Sequence, residues 1–187
     1  LLACLLLLAL TGQAMADPLA EAKQAYFAGD YAKAEKLFRP LAKQGNASAQ
    51  LYLGSMYDDG QGVPLDHREA VKWYRKAADQ GEALAQHNLG KMHQAGKGVT
   101  QDYAEAAKWY LKAADQGLVE AQQNLALMYE KGQGVPQDPG DAVKLYRRAA
   151  EHGNTTAQYN LGVSYENGQG VAQESAEAAK WYLLAAA

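Results

Sequence analysis

A chain of 187 residues, 48% hydrophobic, is long enough to bury the core of one ordinary domain. Its net charge of −3 offers no broad basic field for nucleic acid or for an anionic membrane surface. A single cysteine rules out an intramolecular disulfide framework.

Residues 1–16, LLACLLLLALTGQAMA, form an apolar run followed by Ala14-Met15-Ala16. This is the pattern of a secretory leader cut before Asp17. The positive segment and the Met that open such leaders do not precede it, which points to residues missing before Leu1. Ten apolar residues are too few for a membrane anchor. "LLAC" resembles a lipid-attachment box, but most of the apolar run follows Cys4 instead of preceding it. The expectation is a periplasmic or secreted protein. Cys4 leaves with the leader, so the mature chain holds together by packing alone. No second long apolar segment appears, and stable membrane insertion of the mature chain is not expected.

Residues 17–45 read as a short helix pair turning at Gly29-Asp30. After it comes a repeat. "GQGV" starts at Gly60, Gly132 and Gly168, and "GKGV" starts at Gly96, each 36 residues after the last. The same offset relates AQLYLGSMY at 49–57 to AQHNLGKMH, AQQNLALMY and AQYNLGVSY. It also carries Trp73 onto Trp109, Leu145 and Trp181. The predicted units are 46–81, 82–117, 118–153 and an incomplete 154–187, which stops inside its second helix.

Each unit reads as two helices. In the first, Ala49, Leu53, Met56 and Tyr57 share a face over Ala49–Asp58, with Asn46 as the N-cap and Gly60 as the stop. The second, Asp66–Gln80, aligns Ala70, Trp73, Tyr74, Ala77 and Ala78. Asp66/Glu69 and Asp102/Glu105 have capping-box spacing, and Pro139 stands at a first helical position. Gly81, Gly117 and Gly153 close the second helices. A glycine-rich loop can also cradle phosphate, but that fingerprint needs a third glycine and a preceding strand. Leu65 or Gln137 stands in that glycine's place, and a helix comes first. The loop glycines are therefore read as a helix stop followed by a tight turn, with Val63 and Val135 tucked beneath. A helix pair cannot bury its apolar face alone, whereas stacked pairs make a continuous core. The fold expected is all-α: an α-solenoid of antiparallel helix pairs wound as a right-handed superhelix. Gly90→Ala126 and Trp109→Leu145 break the pattern, so the third unit is expected to pack differently.

These residues resemble the Sel-one-like repeat family, a longer-looped relative of the tetratricopeptide repeat. Its pattern, A-x-x-x-L-G-x-x-Y-x-x-G-x-G-V then A-x-x-W-Y-x-x-A-A-x-x-G, is matched from Ala49, Ala85, Ala121 and Ala157. The resemblance implies a non-catalytic scaffold. Exported bacterial members of that family are associated with envelope assembly, signalling and host contact. Some cysteine-rich members carry a β-lactamase label, which fits a cysteine-free mature chain poorly.

Catalytic patterns are missing. Ser48, Ser55, Ser164 and Ser175 all lack the lysine three residues on that a β-lactamase nucleophile requires. His67, His87, His93 and His152 form no H-x-x-x-H pair, and His93 takes a core tyrosine position. Most carboxylates cap helices or pair with lysines, as in Glu69/Lys72, Glu105/Lys108 and Glu177/Lys180. No cofactor or metal is expected. What varies from unit to unit is the side of the first helices opposite the core: Leu51, Ser55 and Asp58, then His87, Lys91 and Gln94. Gln123, Leu127 and Glu130 follow, then Tyr159, Val163 and Glu166. First helices line the concave wall of such solenoids, so this stripe is a candidate groove for another protein or an extended peptide. Tyr52, Asn88, Asn124 and Asn160 stand beside it. That ladder either bonds a peptide backbone or pairs with the neighbouring unit. The tyrosines leave a carbohydrate- or peptidoglycan-binding module as an alternative.

Overall fold

The computed structural model describes residues 17–187. The expected leader, its cleavage site and Cys4 lie outside the described residues. Within them the chain forms ten α-helices and no strand. α1 (Pro18–Phe27) and α2 (Tyr31–Lys43) make the N-terminal pair. α3 (Ala47–Asp59) and α4 (His67–Asp79) make the first full unit. The next units are α5 (Ala83–Ala95) with α6 (Tyr103–Asp115), and α7 (Val119–Lys131) with α8 (Pro139–Glu151). α9 (Thr155–Asn167) and α10 (Ser175–Ala185) form the last described pair. Each helix packs on the one before and the one after it in the chain, as stacked pairs require.

Helix boundaries follow from local chemistry. Asn46 Oδ1 accepts from the Ala49 amide at 2.9 Å. Asp66 accepts from Arg68 and Glu69, Asp102 from Glu105, and Asp138 from Asp141. Only half of each predicted capping box forms. The Asp66 and Asp102 amides donate instead to the carbonyls of Tyr57 (2.9 Å) and His93 (3.0 Å), closing the long loop. Glu69 is left free to pair with Lys72.

The loop's second glycine does more than turn the chain. Gly62 has φ +70°, and a β-carbon there would stand 2.6 Å from the Tyr31 carbonyl oxygen. Gly98, Gly134 and Gly170 lie in the same way against the first turns of α4, α6 and α8. Each loop therefore docks on the second helix of the preceding unit.

Inside the stack, Gly54, Gly90 and Gly162 lie against the rings of Tyr74, Tyr110 and Tyr182. Alanines at 49, 70, 77 and 78 are fully buried or nearly so, letting helices approach closely. Buried glutamines join the units. The amides of Gln50, Gln86, Gln122 and Gln158 donate to the carbonyls of Ala42, Ala78, Ala114 and Ala150 at 3.0–3.3 Å. Gln80 and Gln116 donate in turn to Gln50 and Gln86, at 2.7 and 2.8 Å. His152 takes the equivalent place in the third unit, and the Gln122 Oε1 acceptor there has no partner. That unit does pack differently. Its Leu145, in place of a tryptophan, and Leu111 of the second unit, in place of an arginine, border a shallow depression of about 200 Å³ beside Tyr129.

Candidate functional site

α3, α5, α7 and α9 stand side by side and carry the variable stripe. Placement differs along it. Tyr159 is 56% exposed, its ring 5.5 Å from that of Tyr182. Lys91 is also exposed, while Leu127 and Val163 are half-buried. Leu51 corrects the expectation of a wholly open stripe, being only 8% exposed within the core between the first and second units. Each first helix is flanked by neighbours on both sides, so its open arc is narrower than a helix packed against one partner would have.

The ladder beside the stripe is tied into the stack. Tyr52 lies parallel to Phe38, ring centres 5.0 Å apart. Asn124 donates to His87 Nε2 at 3.0 Å, across one unit. Gln123 accepts from Asn154 at 3.1 Å. Asn124 and Asn160 also lie beside the hydroxyls of Tyr110 and Tyr146. Asn88 is half-buried and lies against His87. Burial, and next the charge of Lys91, holds the His87 imidazole below its usual pKa. His87 is thus held neutral as an acceptor for Asn124.

Tyrosines from the second helices reach back to the last turns of the first. The Tyr110 hydroxyl donates to Gln94 at 2.7 Å, and those of Tyr146 and Tyr182 donate to Glu130 and Glu166 at 2.6 Å. Burial pushes the Tyr110 and Tyr146 hydroxyls well above the usual tyrosine range. The bond to Glu166 is the main cause that raises Tyr182, to about 12. These hydroxyls stay protonated as donors and have no nucleophilic character at neutral pH.

A second ladder joins second helices to the first helices that follow them. Arg39 donates to the Tyr57 hydroxyl at 3.0 Å, Arg75 to His93 Nε2 at 3.0 Å, and Arg147 to Tyr165. His93 is buried in the tyrosine position and lowered in pKa by burial first and by Arg75 second. Sequence reasoning missed this ladder. Its signal was an arginine at 39, 75 and 147, on the 36-residue period.

Among the described residues no group of three or more His, Asp or Glu side chains is placed to hold a metal. None of the described helices is long and apolar enough to cross a membrane.

The Sel1 repeat model matches residues 22–46, 47–82, 83–118, 119–154 and 155–187. A search of the curated proteins finds no match. Among solved structures, a Sel1 repeat protein from Oxalobacter formigenes superposes with a TM-score of 0.87 at 36% identity, over 91% of this chain and 68% of that one. The protein c5321, a protective antigen present in uropathogenic Escherichia coli strains and displaying an SLR fold, gives 0.84 at 39% identity. That match covers 90% of this chain but 40% of the antigen. A Sel1 repeat protein from Klebsiella pneumoniae, at 23% identity and a TM-score of 0.60, shares the fold. Repeat matches from residue 22 to 187, with those two structures, show that this chain belongs to the Sel1 repeat family, whose members are in general scaffolds for protein–protein interaction.

Proposed function

We propose that this protein is a non-enzymatic adaptor of the cell envelope, exported by its apolar leader, that binds another protein through the face of α3, α5, α7 and α9. The observation that carries this reading is the contrast along those helices. Core positions recur every 36 residues, while His87, Lys91, Gln123, Leu127, Tyr159 and Val163 do not. A surface that varies on a largely recurring frame suits recognition of a specific partner, and Tyr159 supplies an aromatic anchor. No serine of the sequence is followed three residues on by the lysine that a β-lactamase nucleophile requires.

Capture from an envelope extract on the immobilised protein tests the proposal. Lys91→Glu and Tyr159→Ala are expected to weaken capture while leaving the melting temperature nearly unchanged. Lys72→Glu and Lys144→Glu, exposed on second helices, are expected to do neither. Loss of capture in the second pair alone would move the binding surface to the opposite face. Capture that disappears after glycan digestion would make the protein a carbohydrate-binding module instead.

A further inference from the structure

We infer that a pocket between the third and fourth units receives a lysine or arginine side chain of the partner polypeptide. The inference deepens the protein-binding reading above and rests on it. The pocket holds about 260 Å³ and is lined by Glu130, Gln137, Pro139, Tyr146, Ser164 and Gln169, among others.

Two departures from the repeat mark this pocket. Ser164 stands where the other units carry Met56, Met92 and Met128, each 2% exposed or less. The serine is shorter, and its hydroxyl turns back to the Asn160 carbonyl at 3.0 Å. Pro139 stands where the earlier units carry His67 and Tyr103. Those two side chains reach polar neighbours, His67 to Asp58 at 2.9 Å and Tyr103 to Gln101 at 3.1 Å. A proline makes no such contact.

The first unit shows which chemistry the space suits. There the carboxylate at the end of the first helix, Asp58, is met by a nitrogen of this same chain, His67 Nδ1. In the third unit the corresponding carboxylate is Glu130. The Tyr146 hydroxyl donates to its Oε2 at 2.6 Å, which leaves Oε1 for another donor. Glu130 is the one charged residue lining the pocket, and Pro139 and the Tyr146 ring supply apolar wall. An alkyl stem ending in an ammonium or guanidinium meets each demand. The stem packs on the wall, the charge meets Glu130, and the remaining N–H groups reach Ser164 Oγ and the glutamine amides. Glu130 is exposed, so beside an apolar side chain it keeps only water and beside an acidic one it faces a like charge, and neither adds a charge-assisted bond.

The test is a titration of the isotope-labelled protein followed by amide NMR shifts. The probes are N-acetyl-lysine methylamide, N-acetyl-arginine methylamide, the neutral methionine analogue and N-acetylglucosamine. Saturable shifts clustered at Tyr146, Ser164 and Gln169 are expected with a basic probe and not with the neutral ones. Ser164→Met restores the residue of the other units, so it is expected to keep or raise the melting temperature while removing these shifts. Glu130→Gln is expected to weaken binding about tenfold, as loss of a charge-assisted hydrogen bond does. Equal response to the methionine analogue, no saturable shift with either basic probe, or shifts surviving Ser164→Met would overturn the inference. Localised shifts with N-acetylglucosamine alone would reassign the pocket to a sugar. Basic-probe binding without any effect of Ser164→Met on partner capture would point to a free amine and overturn the partner assignment. Probe binding that persists while Lys91→Glu and Tyr159→Ala leave capture intact would sink the groove reading and keep the pocket.

Discussion

At the scale of single residues, the glycines of the short turns and of the long loops have separable tasks. Gly81 has φ +91° and open space around it, so a substitution there meets only the cost of the left-handed conformation. Gly134 has φ +73°, and a methyl group would overlap the Tyr103 carbonyl of the preceding unit. Gly81→Ala is expected to destabilise by about 1 kcal/mol, the cost of a left-handed alanine. Gly134→Ala is expected to cost more than about 2 kcal/mol, because the loop must also lift off its neighbour. Urea unfolding of the two variants checks the order. Equal losses would mean that the docking contact contributes nothing.

At the scale of elements, the ladder of arginines links α2 to α3, α4 to α5 and α8 to α9, with Leu111 breaking it between α6 and α7. His93 changes its chemistry at one rung. It accepts from Arg75, and protonation would place an imidazolium against a guanidinium. Its folded pKa is lowered from the usual 6.5, by burial and then by Arg75. The unfolded chain therefore binds this proton more readily than the folded one. The rung's full contribution is present above pH 6.5 and is lost as pH falls through 6.5 toward the lower folded value. His87 shifts in the same direction and adds to the effect. His93→Tyr, the residue of the other units, is expected to flatten the fall in melting temperature between neutral pH and the onset of carboxylate titration. An unchanged slope would show that His93 does not report on this rung.

At the scale of the whole molecule, stability in a linear stack is a sum of unit and neighbour terms. The glutamine chain is one neighbour term, and it has a gap. Gln122 Oε1 is buried without a donor because His152 turns its own Nδ1 to the Arg148 carbonyl. His152→Gln would supply the bond that Gln80 and Gln116 make in the other units. A gain of about 1 kcal/mol is expected, the usual net worth of such a bond. Hydrogen exchange should slow most in α7 and α8 and least in α1 and α2. A uniform change would contradict nearest-neighbour coupling.

The period, the helix pairs, their caps and the glycine stops were legible in the order of the residues alone. These depend on chemistry within a few residues, such as Asn46 reaching Ala49 or Gly60 in the left-handed region. The groove was legible only as a variable stripe. Tertiary structure decided which members of it are open, because burial on a first helix depends on two flanking units as well as its own second helix. Leu51 is buried for that reason and Tyr159 is not. The capping boxes closed halfway because the same amide was wanted by a carbonyl nine residues back, at Tyr57 for Asp66. The pocket at Ser164 was invisible for a related reason. A serine in place of methionine is one more substitution along the chain, and it becomes a space only where Glu130, Tyr146 and the next loop converge on it.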